Sequence, residues 1–176
     1  MKASGYARAE ADWYQEPAWV VNALLDRERF TGLSWDPSCG GGTIPEAMLA
    51  RGLPCYGSDL ADRGYGRTGV DFFSTTKSTD NIVTNPPYGV IEPYIRHALT
   101  LARSKVAILA RLALLESTRR QALFRETPLA RVWVSHRRVS MPPGGTDVPA
   151  SGGTVAYAWF VWDHSHVSAP VIGWLP

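Results

Sequence analysis

The first ordered pattern along the chain is Trp19, Val20, Ala23 and Leu24, apolar positions at the spacing of one helix face, with Pro17 in the first-turn place that proline favours. This predicts a helix of roughly ten residues, with Gly32 closing the segment. Residues 1–12 are small and polar without a period and read as a flexible tail. Leu33 to Asp36 then predicts a short strand entering the loop Pro37-Ser38-Cys39-Gly40-Gly41-Gly42-Thr43. A helix follows over Ile44 to Arg51, capped by Gly52. Leu53 to Asp59 reads as a strand ending in an acid, Gly69 to Phe73 as a stubby segment, and Asn81 to Thr84 as a strand running into Asn85-Pro86-Pro87-Tyr88, where two prolines end ladder pairing. Helices are expected over Tyr94 to Ala102 and Ser117 to Arg125, with a buried strand over Val106 to Leu112 between them.

Such alternation favours a parallel α/β sheet. Two strands depart from it, Ala130 to Ser135 and Thr154 to Asp163: nothing helical separates them, so a hairpin is predicted, with Met141 to Gly153 as its turn-rich connection. Trp159 and Trp162 are expected in the core. The whole reads as one Rossmann-like α/β domain over residues 13–176 with about seven strands, mostly parallel, and an antiparallel C-terminal hairpin.

Composition narrows the class. The chain has 176 residues, 45% of them hydrophobic, enough for one sizeable core. No apolar run reaches the ~20 residues of a membrane span, and Met1 to Asp12 lacks the apolar stretch of a signal peptide, so a cytoplasmic protein is expected. Cys39 and Cys55 are the only cysteines, and reduced thiols are the default. His164 and His166 read as surface histidines, so no metal site is expected. Net charge is only +2, yet Arg96 to Arg138 holds nine arginines and one lysine against two glutamates, and the remainder is acidic. That segment is either the footprint of a nucleic-acid partner or a solvated arginine-bearing surface. Arg111, Arg137 and Arg138, at predicted strand ends, are the candidates for phosphate contacts.

The chemistry concentrates at strand ends. A glycine cluster between strand and helix lets backbone N–H groups approach a ligand beside a helix N-terminus. Alone it is equally a tight turn. Here acids accompany it: Asp36 before the loop, Asp59 about 20 residues past the glycines at the place of a ribose ligand, and Asp71 with Phe72 suited to an adenine amino group and its face. In Asn85-Pro86-Pro87-Tyr88 the Asn85 amide oxygen and the Pro86 carbonyl offer two acceptors for the hydrogens of a planar amino group, which frees the nitrogen lone pair. The prolines hold those acceptors in place, and Tyr88 offers a stacking face.

On these residues the chain resembles the class I S-adenosylmethionine-dependent amino-methyltransferases of the N6-adenine DNA methyltransferase group. Asp36-Pro37-Ser38-Cys39-Gly40-Gly41-Gly42 is similar to that family's cofactor loop, Asp59 with Leu60 to its ribose-binding position, Asp71-Phe72 to its adenine-side pair, and Asn85-Pro86-Pro87-Tyr88 to its catalytic tetrad. Upstream, Trp13-Tyr14-Gln15-Glu16-Pro17-Ala18-Trp19 is similar to its cofactor-adjacent Tyr-x-Thr-Pro entry, with Glu16 where the family has threonine. The resemblance implies S-adenosylmethionine as cofactor, held by Tyr14, Pro17, Asp36, Pro37, Ser38, Gly40, Gly42, Asp59, Leu60, Asp71 and Phe72. It further implies methyl transfer to adenine in DNA, with the base flipped or single-stranded. The tetrad is shared with enzymes acting on RNA bases and on protein glutamine, and a cofactor-fold binding protein without turnover is a further alternative. No separate target-recognition domain fits in this length, so site specificity falls to the basic segment, to the loop around residues 140–153, or to a recognition subunit.

Overall fold

The computed structural model describes residues 13–146 and 153–175. Helix α1 spans Ala18–Arg27, beginning directly after Pro17. It stops well before Gly32, because Glu28 turns extended and buries its carboxylate against Arg131, Lys105 and Trp133. Strand β1 (Ser34–Asp36) leads through the glycine loop into α2 (Thr43–Ala50), whose Pro45 sits in the first turn, where no amide hydrogen is needed. As the sequence predicts, Gly52 caps α2. Its φ is +72°, its N–H reaches the Leu49 carbonyl at 2.9 Å, and the Leu53 N–H reaches that of Met48 at 3.0 Å.

Strand β2 is Cys55–Gly57, followed by a loop and, at Phe72–Ser74, a 3-10 turn in place of the stubby strand-like segment. Asp71 forces that turn by accepting from the Phe73 N–H at 3.0 Å. Then come β3 (Thr79–Thr84), α3 (Ile91–Leu101), β4 (Ala102–Arg111), α4 (Gln121–Glu126), β5 (Leu129–Ser135) and β6 (Tyr157–Asp163). One strand escaped the sequence reading: β7 (Val171–Leu175) pairs in parallel with β5 at the sheet edge.

The seven strands form one sheet in the order β2-β1-β3-β4-β6-β5-β7. Strand β6 alone runs antiparallel to its neighbours β4 and β5, and the other pairings are parallel. The order reverses beside β1, which opens a crevice at the carboxyl ends of β1 and β3, the place where sheets of this kind bind ligands.

Alternation along β4 and β6 builds a core on each face. Val106, Ile108, Phe160 and Trp162 face the side covered by α3 and α4. Ala107, Leu109, Trp159 and Val161 face α1 and α2. The indoles of Trp159 and Trp162, both fully buried, donate to the Val20 carbonyl and the Thr127 hydroxyl at 2.9 Å. Among the described residues no helix is long and apolar enough to cross a membrane. The expected tail, residues 1–12, and residues 147–152 of the expected loop lie outside the described residues.

Candidate active site at the carboxyl edge of the sheet

Because β1, β3, β4 and β5 share one direction, Asp36, Asn85, Arg111 and the residues after Ser135 all reach the same edge. A cleft of about 250 Å³ opens there, between the glycine loop, the loop after β2, the turn at Phe72 and the segment ahead of α1. The loop after β1 is held from both sides. Gly40 and Gly42 take φ of +48° and +90°, and the Gly40 N–H donates to Asp59 Oδ2 at 3.0 Å. Asp59 Oδ1 accepts from the Ala61 N–H, also at 3.0 Å, so the acid at the end of β2 braces two loops and keeps lone pairs for a further donor.

Of the residues expected at a cofactor, Tyr14, Pro37, Ser38, Gly40, Asp59, Leu60, Asp71 and Phe72 line the cleft. Pro17, Asp36 and Gly42 do not. Pro17 borders a neighbouring hollow along α1 and α2, and Gly42 packs beneath the Tyr65 ring, which a Cβ there would meet at 2.3 Å. Asp36 is buried beneath the loop, where Oδ1 accepts from the Ser38 N–H at 3.2 Å. Its Oδ2 and the neighbouring Thr84 hydroxyl find no other partner among the described residues and face one another beneath the loop. Burial, then the nearby Glu16 carboxyl, raises the Asp36 pKa well above the carboxylate range.

Phe72 is only 5% exposed, stacked on Tyr94 at 4.1 Å and edge-on to Trp35 at 5.7 Å. The more accessible apolar rim comes from Leu60 and Phe73, at 68% and 45% exposed. Both Asp71 oxygens serve the turn, one on the Phe73 N–H and one on the Ser74 hydroxyl at 2.6 Å.

The tetrad follows β3 directly. Asn85 and Pro87 line the cleft, while Pro86 is buried and Tyr88 sits behind, outside the lining. Asn85 Nδ2 donates to the Tyr14 carbonyl and to Glu16 Oε2, each at 3.0 Å, and Asn85 Oδ1 accepts from the Tyr88 hydroxyl at 2.8 Å. The Tyr88 ring already carries the Arg111 guanidinium, 5.2 Å from its centroid, with Tyr157 at 6.2 Å.

With this geometry in view, the likenesses to solved structures decide the fold. A protein of Pyrococcus horikoshii described as an RNA methyltransferase superposes with a TM-score of 0.60 at 12% identity, over 83% of this chain and 80% of its own. The magnesium protoporphyrin IX methyltransferase of Synechocystis, solved with bound S-adenosylmethionine, gives 0.55 at 15% identity over 84% and 79%. A protein of Vibrio vulnificus described as the modification subunit of a type I restriction enzyme gives 0.59 at 14% identity, over 92% of this chain and 46% of its own. The fold is that of the class I methyltransferases. This chain spans about half the length of the Vibrio protein. No family model matches the sequence, and no curated protein matches it.

On this methyltransferase fold several lining residues carry no sequence motif. Trp13 caps the cleft between the Arg63 guanidinium, 4.3 Å from its ring, and the Gly144-Gly145 backbone, where a Cβ on Gly144 would meet the indole at 2.1 Å. The segment ahead of α1 is strapped to the 141–146 loop by Gln15 N–H to Pro142 O and Gly144 N–H to Trp13 O, both 3.1 Å. Tyr94 from α3 meets the Ser38 hydroxyl at 2.7 Å at the cleft wall. The aromatic Trp13 and the paired glycines 144 and 145 were the only signals of this strap in the sequence. Cys39 also lines the cleft, but burial, then Asp36 and Asp59, push its thiol up to about 12, so it is no nucleophile at neutral pH.

The basic segment divides in three, since Arg119, Arg120 and Arg125 sit in and before α4, Arg120 donating to the Ala113 and Leu114 carbonyls. Arg96, Arg103, Lys105 and Arg131 spend their charge on Glu92, Glu126, Asp80, Glu28 and Asp163. Arg111, Arg137 and Arg138 instead lie on the cleft edge with no carboxylate partner among the described residues. Arg137 rests over Trp19 at 4.6 Å, and Arg138 donates to the Thr154 carbonyl at 3.3 Å. His164 and His166 follow β6, at the opposite edge from the cleft.

Proposed function

We propose that the protein transfers a methyl group from S-adenosylmethionine to the exocyclic N6 amino group of adenine in DNA. The observation that carries this reading is the juxtaposition of Asn85 and the Asp59-braced glycine loop in one cleft. Positive φ at Gly40 and Gly42 turns the loop tightly, and the backbone of Gly40 and Gly41 lines the cleft without side-chain bulk. The cradle therefore suits the cofactor: Asp59 takes the ribose hydroxyls, Leu60 and Phe73 flank the base, and Ser38 and Gly41 face the amino-acid end.

When bound, S-adenosylmethionine supplies an electrophilic methyl on a sulfonium. The chain supplies acceptors. Asn85 Oδ1 keeps one lone pair beyond the Tyr88 hydroxyl, and with the Pro86 carbonyl it takes the two amino hydrogens, leaving the nitrogen lone pair for attack. With the cofactor bound, that lone pair would form the new N–C bond as the S–C pair stayed with sulfur, and the surplus proton would leave to water. No side-chain base is needed for the attack.

Nucleic acid is favoured over protein by arginines 111, 137 and 138, which lie along the same edge with no carboxylate partner among the described residues. An adenine stacked in a duplex does not present N6 to this cleft, so the target is flipped or single-stranded. Site preference then falls to the edge arginines and the loop after β5, or to a recognition subunit. The test is transfer of labelled methyl from S-adenosylmethionine to duplex DNA, single-stranded DNA, RNA and protein in parallel. Label in DNA supports the reading. Label confined to RNA or to protein glutamine moves the substrate and keeps the chemistry, and no label anywhere overturns both.

A further inference from the structure

Glu16 occupies a place where its chemistry is unusual: it is 7% exposed, it lines the cleft, and the tetrad asparagine donates to it. Asn85 has two amide hydrogens, and both are taken by groups that only accept, Glu16 Oε2 and the Tyr14 carbonyl, each at 3.0 Å. Rotating the amide by half a turn would set Oδ1 against the Glu16 carboxylate and the Tyr14 carbonyl, acceptor facing acceptor. That arrangement is strongly disfavoured. Oδ1 is therefore fixed as an acceptor, facing the Tyr88 hydroxyl.

We propose that Glu16 is a positioning residue for methyl transfer: its carboxylate fixes the orientation of the Asn85 amide, so that Oδ1 and not Nδ2 meets the substrate amino group. The inference rests on the amino-methyl-transfer reading above. Protonation of Glu16 undoes the lock, because a carboxylic acid can donate to a flipped Oδ1 and stabilise the wrong orientation. Burial raises the Glu16 pKa from 4.5 to about 7, opposed by the hydrogen bond from Asn85, so the change falls within the working pH range. The other ionisable groups facing it are Asp36 at the end of β1, Cys39 in the glycine loop and Tyr88 in the tetrad, with Arg111 beyond Tyr88. Burial raises all three facing groups and favours their neutral forms.

The experiment compares wild type, Glu16→Gln and Glu16→Ala for methyl transfer between pH 5.5 and 8.5, with cofactor affinity measured by calorimetry alongside. Wild-type turnover should rise with pH through an apparent pKa near 7. Glu16→Gln, which satisfies either amide orientation, should lose that limb and about 10- to 100-fold of the plateau rate, with cofactor affinity within about threefold of wild type. An unchanged limb in Glu16→Gln overturns the proposal, and so does a loss of affinity equal to the loss of rate, which would make Glu16 a cofactor ligand. A second readout needs no turnover. The Glu16 carboxyl carbon, followed by NMR, should titrate at higher pH in Asn85→Ala than in wild type, because the hydrogen bond that lowers its pKa is gone. No shift there overturns the contact even if methyl transfer is robust. A shift without any methyl transfer supports the contact and refutes the functional reading instead.

Discussion

Replacing Asp59 by alanine should damage stability and cofactor binding together, and the structure sets the sizes. The carboxylate accepts two backbone hydrogen bonds, from Gly40 and Ala61 at 3.0 Å each. Hydrogen bonds to a charged group contribute about 1.5–3 kcal/mol apiece, and a half-buried carboxylate belongs at the lower end. Removal should therefore cost roughly 2–4 kcal/mol of folding stability, or about 4–16 °C in Tm for a chain of this size. Loss of the ribose contact should weaken S-adenosylmethionine by a further 1–3 kcal/mol, roughly 5- to 150-fold. Asp59→Asn, which keeps one acceptor for the loops, should fall between. The assays are thermal melts with and without cofactor, and calorimetry at a temperature where the variant is folded. Asp59→Ala melting within a degree of wild type would refute the bracing role. Unchanged affinity in the folded variant would refute the ribose assignment.

Other consequences are as direct. Asn85→Ala removes the amide acceptor without touching the glycine loop, so methyl transfer should fall at least about 100-fold while calorimetry finds cofactor affinity nearly unchanged. Neutralising Arg137 and Arg138 together should flatten the log-log salt dependence of DNA binding by about one to two units, and a titration in which the slope does not move places the phosphates elsewhere. Stability should fall as pH rises between about 5 and 6.5. Glu16 and Asp36 both have pKa values raised on folding, so their contribution is full below the unfolded carboxyl range and is lost as pH climbs toward the folded values, about 7 for Glu16. Each costs about 1.4 kcal/mol per pH unit within its window, and denaturant melts of Glu16→Gln should show about half the wild-type slope.

The strand-loop-helix around Gly40 and the strand running into Asn85 were legible because their signals are local: turn residues, a capping glycine and two prolines at fixed offsets. The edge strand β7 was not. Val171, Ile172 and Trp174 are 57%, 56% and 61% exposed, so it has no buried face to impose an alternating pattern, and its pairing with β5 is a tertiary choice. The ten-residue length of α1 was legible but what ends it was not, since Glu28 leaves the helix to meet Arg131 more than a hundred residues away. In the site, the strand-end positions of Asp59 and Asn85 were enough to place both at one cleft, while the burial of Glu16 is encoded by no neighbouring residue. The strap joining Trp13 to Gly144 and the placement of Arg111 over Tyr88 arise the same way, from segments brought together only by the sheet.

Whether this cleft methylates an adenine amino nitrogen is read from the modified nucleoside itself. DNA incubated with the protein and methyl-labelled S-adenosylmethionine is digested to nucleosides, and the label is located by chromatography and mass spectrometry. Label is expected in N6-methyl-2′-deoxyadenosine, present with wild type and lost with Asn85→Ala. Label on a ring carbon of cytosine, or on any position at equal yield with Asn85→Ala, would contradict it.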